Sequence, residues 1–247
     1  MNNTIKELYN RKSVRVFTDE LITEEERNII LNAALQAPSA GNMEMYSIID
    51  VQDQQLKDQL AVLCDHQPFI ATAKLVLIFL ADYQKWYDIF NTYVGECDDL
   101  EESDLFLAMN DTLIAAQNSV VAAESMGIGS CYIGDILENF EKIQELLNLP
   151  QYAVPCTMIV FGRPTDQQKE RIKPTRFDVN DMVYVNRYQP KTTEQTISMF
   201  EKQTGKTGEK LEKHIQAFAK RKFNTDFRHE MNRSCRAILK HWLKKKD

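Results

Sequence analysis

Glycine and histidine are scarce in this sequence: its 247 residues include eight of the first and four of the second. The glycines form no P-loop, and no G-x-G-x-x-G joins a strand to a helix, which argues against a self-standing dinucleotide-binding fold. G-x-S-x-G, H-E-x-x-H and a pair of catalytic histidines are also absent, so a hydrolytic or zinc mechanism has no candidate residues. If this protein is an enzyme, we expect a cofactor to carry its chemistry, and we expect no metal site.

Long apolar runs and cysteine motifs are missing as well. The longest apolar run, residues 75–81, is far shorter than the ~20 residues that a membrane span needs. The N-terminus has no basic patch followed by an apolar stretch, so no signal peptide is visible. Five scattered cysteines without C-x-x-C indicate reduced thiols rather than a disulfide framework. We therefore expect a cytoplasmic protein that has no membrane partner.

Charge is distributed unevenly along the chain. The formal net charge is −6, yet residues 191–247 carry 15 Lys and Arg against 7 Asp and Glu, whereas residues 1–190 carry 15 against 29. The basic residues alternate with Glu in helix-like sequence and do not form a continuous arm. This favours pairing with the acidic body of the same or a second chain over binding of nucleic acid.

The chain alternates helices and strands without a regular βαβ rhythm. Thr23 and Glu26 form a capping box before a helix that ends ahead of Pro38. The longest helix is predicted over residues 104–126, and its several apolar faces indicate a central, buried position. These features predict the α+β class. Further helices are expected at 4–9, 138–147, 207–222 and 225–245, and strands at 46–51, 74–81, 129–133 and 156–161.

Four separated segments carry groups that suit a flavin mononucleotide (FMN). Alternating basic and hydroxyl side chains can grip a phosphate and a polyol, and backbone N–H groups beside a glycine can approach a flavin ring. Each segment also has a simpler interpretation, as a solvated basic turn or a helix stop. The candidates are Arg11, Lys12, Ser13 and Arg15; Pro38, Ser39 and Asn42; Tyr132, Ile133 and Gly134; and Lys173 and Arg176.

In this order the segments resemble the FMN-dependent nitroreductase family, over roughly residues 4–188. The family's R-x-S-x-R string, A-P-S-x-x-N segment and E-S-x-G-x-G helix end have counterparts at residues 11–15, 37–42 and 124–129. Many relatives continue the second motif with x-Q-P-W, whereas this chain has Glu44 in place of the glutamine.

Two later motifs extend the resemblance. The family's K-P-R phosphate loop is similar to residues 173–176, although Thr175 is an additional residue, and its N-R-Y ending is similar to residues 186–188. Gln67 stands in a segment that resembles the one whose glutamine binds the pyrimidine edge of the flavin. That segment and the chain length are similar to the longer, NADPH-preferring branch.

The resemblance implies a three-layer sandwich, with a central, mostly antiparallel sheet flanked by helices, in an intertwined homodimer. Residues 1–190 would form the FMN-binding core, and residues 191–247 a basic helical extension that wraps the partner subunit. The expected dimer seam is the long helix, through Leu105, Met109, Leu113 and Val120.

The implied activity is a ping-pong NAD(P)H oxidoreductase. NADPH or NADH would deliver hydride to N5 of a tightly bound, non-covalent FMN, and a nitroaromatic, quinone, azo compound or flavin would then accept the electrons. No side chain is nominated as a catalytic acid or base. A modest preference for NADPH would rest on Arg228, Arg233 and Arg236. The alternative is an FMN-binding redox sensor or partner protein with slow turnover.

Residues 82–103 match no part of the family pattern. Their aromatic side chains suggest either a lid over the acceptor site or an ordinary amphipathic helix packed on the body.

Overall fold

The computed structural model describes residues 1–95, 97–223 and 225–244. Four strands form its sheet in the order β1-β2-β4-β3, and every neighbouring pair is antiparallel. This confirms the predicted α+β class. The strands are β1 (Tyr46–Asp50), β2 (Leu75–Asp82), β3 (Gly129–Ile133) and β4 (Ala153–Gly162).

Helices cover both faces of the sheet, and further helices follow the last strand along the chain. The helices are α1 (Asn3–Asn10), α2 (Glu24–Leu35), α3 (Gln54–Leu63), α4 (Pro68–Thr72), α5 (Gln84–Tyr93), α6 (Glu102–Ser125), α7 (Phe140–Leu146), α8 (Asp166–Glu170), α9 (Val179–Met182), α10 (Thr193–Thr204), α11 (Gly208–Lys222) and α12 (Asp226–Trp242). Single 3-10 turns occupy Ala40–Asn42 and Gly134–Leu137. In the described part of the chain, no helix is long and apolar enough to cross a membrane.

The apolar sequence of β2 follows from burial on both faces. Leu77 and Phe79 pack in one cluster with residues of α2 and α6, whereas Ile78 and Leu80 pack in another with residues of α3 and α4. Successive side chains of a strand point to opposite faces, so a strand between two helical layers must be apolar at every position. The three predicted layers are therefore present.

The chain divides into two compact units. The first comprises Met1–Arg171 and the chain from Glu230 onward, and the second is Ile172–His229. The division predicted after residue 190 differs from this one, because α12 returns to the first unit. There Ile238 and the fully buried Trp242 join an apolar cluster, and Arg233 pairs with Glu141 of α7. Residues 224 and 245–247 of the predicted extension lie outside the described residues, and so does residue 96.

Part of the predicted seam on α6 faces the core instead. Leu105 and Val120 are buried, whereas Leu113 is 45% exposed. The exposed apolar side chains of α6 are Phe106, Leu107, Leu113 and Ile114. A sequence that is apolar on several faces does not indicate which face the rest of the chain covers, and for this reason the prediction was wrong for Leu105 and Val120.

Candidate functional site

The basic string of residues 11–15 is anchored to the edge strand β3. Ser13 and Ser130 form a bridge, and the Val14 N–H donates to the Ser130 carbonyl at 2.9 Å. Gly129 leaves room for Val14, since a Cβ on that glycine would lie 2.5 Å from Val14 Cγ2. Two residues of β3 thus fix the string, one by main-chain pairing and one by its lack of a side chain.

The same arrangement recurs one step along the chain. Phe17 bridges to Pro164, and a Cβ on Gly162 would lie 2.6 Å from the Phe17 ring. Gly129 and Gly162 are direct partners across β3 and β4. Close approach of the segment of residues 14–17 therefore explains both glycines, of which Gly129 belongs to the E-S-x-G-x-G motif.

Arg11 points into a small recess between α1 and α6. Gln117 and Glu124 of α6 line this recess. The Arg11 Nη1 atom is buried and has no hydrogen-bond partner among the described residues. Burial raises the pKa of Tyr132 to about 12, against the opposing effect of Arg11, and the neutral Tyr132 hydroxyl donates to Gln117 Oε1 at 3.2 Å. Arg11 and Tyr132, both predicted site residues, thus lie close together.

The Arg15 side chain lies near the segment that contains Gln67, another predicted site residue. Its guanidinium carbon is 5.8 Å from the centre of the Phe69 ring, two residues after Gln67. Burial raises the pKa of the Cys131 thiol, and the nearby Arg15 guanidinium and Ser13 side chain act in the opposite direction. The structure therefore brings Arg15 and Ser13 close to Cys131, which directly precedes the predicted site residues 132–134.

Gln67 follows two left-handed residues, Asp65 (φ 57°) and His66 (φ 51°). Its side-chain amide donates to the Cys64 carbonyl at 2.9 Å. Left-handed backbone at residues other than glycine stores strain, and such strain concentrates at functional sites. The geometry of this loop is thus consistent with a site role for Gln67.

The last predicted residues on this side stand at the end of β3. Ile133 is buried in the core, whereas Gly134 is exposed and a Cβ there would meet nothing within 4 Å. The backbone at Gly134 is consequently open to a ligand. Shortly after it, burial and the charges of Asp135, Asp65 and Glu230 raise the pKa of Glu138 to about 7.

The Lys12 side chain is bound by main-chain carbonyl groups of the protein itself. Its ammonium donates to the main-chain carbonyls of Lys169 and Arg171, and Arg171 donates in return to the Ser13 carbonyl at 2.6 Å. These contacts bring the Arg171 guanidinium to the string, a cation that the sequence analysis had not singled out, whereas the Lys169 ammonium pairs with Asp166. The signal available was the density of Lys and Arg ahead of the K-P-T-R loop. Lys173 and Arg176, the predicted cations of that loop, belong to the second unit, where Lys173 is half-buried and Arg176 exposed.

The segment with Pro38, Ser39 and Asn42 leads into β1, at the other edge of the sheet. Pro38 and Asn42 are exposed, and the Ser39 hydroxyl accepts from the Glu44 N–H at 2.8 Å. Three strand spacings of about 4.8 Å separate β1 from β3, so roughly 14 Å of sheet lies between the two groups of candidates. One chain does not bring the two groups of predicted residues together.

Two of the three arginines predicted to favour NADPH make specific contacts. Arg233 is held by Glu141 and Glu230, and the Arg228 guanidinium carbon lies 4.1 Å from the centre of the Phe223 ring, whereas Arg236 is exposed.

The aromatic segment of residues 82–103 contains α5, in which Tyr87 is buried against Tyr152. These contacts favour the packed amphipathic helix over the lid.

Comparisons with known proteins agree with this arrangement. The model of the nitroreductase family matches residues 8–163. The chain is 33% identical to FMN reductase (NADPH) of Bacillus subtilis over 91% of this chain and 94% of that protein. It is 35% identical to the oxygen-insensitive NADPH nitroreductase of Salmonella typhimurium, over 77% and 76% of the two chains. The solved structure of the NADPH:FMN oxidoreductase from Vibrio harveyi in complex with NAD+ superposes with a TM-score of 0.81 at 27% identity, covering 96% of this chain and 98% of that one.

Proposed function

The chain belongs to the nitroreductase family, and on this premise we propose how it holds FMN and passes electrons from NADPH to a small-molecule acceptor. Its activity is that of an FMN-dependent NAD(P)H oxidoreductase.

The donor set around the string fits FMN. A phosphate monoester carries about two negative charges at neutral pH and prefers cations and hydroxyl groups as partners. Arg11, Ser13 and Arg15 supply such groups along the string, and the buried Nη1 atom of Arg11 has no hydrogen-bond partner among the described residues. This buried guanidinium nitrogen without a hydrogen-bond partner is the observation that carries the proposal.

Each candidate then has a chemical task. Ser13 and the cations at Arg11 and Arg15 would hold the phosphate and ribityl chain and leave a fixed positive charge near the N1/O2 edge of the ring. Gln67 would bond the pyrimidine edge, while the backbone at Ile133 and Gly134 would face N5 and O4. Bound FMN supplies the two-electron chemistry. Tyr132, neutral at working pH, would pack beside the site without exchanging a proton.

Lys12 and the loop cations would add positive charge for the phosphate. Lys12 would act mainly by fastening Lys169 and Arg171 next to the string. Lys173 and Arg176 would contribute further positive charge. We assign no acid or base role to any of them.

The active species would be a homodimer. Ser39, Asn42 and Pro38 stand at the sheet edge opposite the string, so a second copy would bring them to the same cofactor. The exposed apolar face of α6, with Phe106 at 60% and Leu113 at 45%, is suited to such an interface. Each FMN would then contact residues of both subunits.

We propose NADPH as the preferred donor, because the relatives named above are NADPH-dependent by name. Among the arginines predicted to carry this preference, Arg236 is the exposed one without an assigned partner in the described chain, so it is the first to test. Nitroaromatics, quinones, azo compounds and free flavins are the proposed acceptors.

Anaerobic stopped-flow reduction of the purified protein tests the proposal. Bleaching of the flavin absorbance that is faster with NADPH than with NADH, followed by reoxidation with a quinone or nitroaromatic, is the expected result. Bound FMN that stays oxidised would instead support a sensor or partner role. A protein that neither contains nor binds FMN would contradict the site assignment.

A further inference from the structure

The segment of residues 39–45 has a strained backbone that its surroundings hold in place. Gly41, Asn42 and Glu44 have φ values of 59°, 57° and 49°. Left-handed backbone at Asn and Glu costs free energy and persists where neighbouring groups determine the conformation. Such a loop is suited to present fixed groups to a ligand.

Asp111 is the buried group that determines this conformation. It lies in the middle of α6, where its neighbours are mostly apolar, and only 3% of its surface is exposed. Its Oδ1 accepts the Ala40 N–H at 3.0 Å, and its Oδ2 accepts the Met45 N–H at 3.3 Å. The carboxylate therefore joins the start and the end of the loop.

Two other contacts support the loop from outside. The Trp86 indole N–H of α5 donates to the Met43 carbonyl at 2.6 Å, and the Lys85 ammonium donates to the Tyr46 carbonyl at 3.0 Å. The aromatic segment thus contacts the loop as a support. Asp111 differs from these contacts because both of its acceptor atoms are buried and both are used by the loop.

We propose that Asp111 is a positioning residue for FMN, which fixes residues 39–45 so that Ser39 and Asn42 reach the cofactor held by the partner subunit. This inference rests on the proposed function. An asparagine at position 111 could accept from one of the two amides only, and its own N–H₂ would face the other. The buried N–H left unpaired would displace one end of the loop.

The experiment compares FMN dissociation constants of the full-length protein and two α6 variants. Asp111→Asn is expected to raise the Kd for FMN about tenfold and to alter the visible circular dichroism of the bound flavin. Thr112→Val is the matched control: it removes a buried hydroxyl that lies 2.6 Å from the Ala108 carbonyl on the same helix and 3.2 Å from the Leu80 carbonyl of β2, and that does not contact the loop. It should lower the melting temperature without changing the Kd.

A double variant separates positioning from general loosening. If Asp111 acts through Asn42, Asp111→Asn and Asn42→Ala combined should raise the Kd little more than the larger single effect. Additive effects, or an Asp111→Asn protein that binds FMN as tightly as Thr112→Val, would overturn the inference.

Measuring FMN binding by the wild-type protein separates failure of the proposed function from failure of this inference. Wild type that binds no FMN would refute the proposed function itself, whereas wild type that binds FMN alongside an unaffected Asp111→Asn would refute only the role of Asp111. Should Asp111→Asn fail to fold, Trp86→Phe removes a single bond to the same loop. It is expected to raise the Kd about threefold, and an unchanged Kd would count against loop positioning.

Discussion

The two halves of the candidate site are held in place by different forces. The string of residues 11–15 is fixed by main-chain pairing to β3 and by contact of Val14 with a glycine. The loop of residues 39–45 is fixed by side chains, above all by the buried carboxylate of Asp111. We therefore expect an added methyl group at Gly129 to disturb the first half. We expect the loss of one acceptor atom of Asp111 to disturb the second.

This difference suits the place of each half in the proposed dimer. The string would bind the cofactor of its own subunit, so its position relative to the sheet must be fixed by the sheet itself. The loop would act across the interface, and its shape matters more than its attachment to a particular strand. Separating the two subunits should therefore abolish the site, even though each half remains folded.

The largest effect is expected from breaking the interface. Phe106→Glu combined with Leu113→Glu places two charges on the exposed face of α6, which a dimer would bury at a high cost in free energy. Light scattering should show a halved mass, and FMN should be lost at micromolar protein. Val62→Glu on α3 is the control, since Val62 is 55% exposed on the opposite layer. A double variant that stays dimeric would contradict the assigned seam.

Gly129→Ala breaks the steric fixation of the string. The added methyl group would lie 2.5 Å from Val14 Cγ2, and overpacking of this kind costs about 1–3 kcal/mol. Thermal unfolding should report the loss, and FMN affinity should fall because the string moves. Adding Val14→Ala removes the two Cγ atoms but leaves Cβ 2.9 Å from the methyl group, so it should restore part of the stability and part of the FMN affinity. If Gly129→Ala alone keeps wild-type stability and affinity, the string is not held as described.

The free energy of unfolding should depend on pH through Glu138, which lies shortly after β3. Glu138 is 5% exposed, and its pKa is raised to about 7 by burial and neighbouring carboxylates. A carboxyl whose folded pKa is raised favours the neutral form. Its contribution therefore lowers the free energy of unfolding progressively from about pH 4.5 to 7 and is constant above that range.

Glu138→Gln should remove this decline. The variant is expected to be more stable than wild type by about 1–3 kcal/mol at pH 8, and equal to it near pH 4, because one pKa unit corresponds to about 1.4 kcal/mol. Urea unfolding at several pH values measures the difference. Glu145→Gln, at an exposed position of α7, is the control for the change in charge. A gap that does not grow with pH would contradict the role of Glu138.

Sequence alone predicted most of the fold, whereas the site residues that it nominated remain predictions. The apolar pattern identified β2 and α6, because buried strands and helices repeat apolar residues at characteristic spacings. It did not reveal which side of α6 is covered, and so Leu105 was misassigned. Asp111 stands among apolar residues in the middle of α6, but its partners are 71 and 66 residues away, and no local pattern encodes that distance.

The smallest effect tests the strain in the second half of the site. Glu44 is exposed and left-handed at φ 49°, and its N–H bonds the Ser39 hydroxyl. Glycine adopts this conformation without the steric cost of a Cβ, although it also increases the freedom of the unfolded chain. Glu44→Gly is therefore expected to change the free energy of unfolding by less than about 1 kcal/mol, with unchanged FMN affinity. Urea unfolding and flavin titration measure both quantities. If the affinity falls severalfold while stability is unaffected, the Glu44 side chain itself contacts the cofactor, and Asp111 is not the main determinant of the loop.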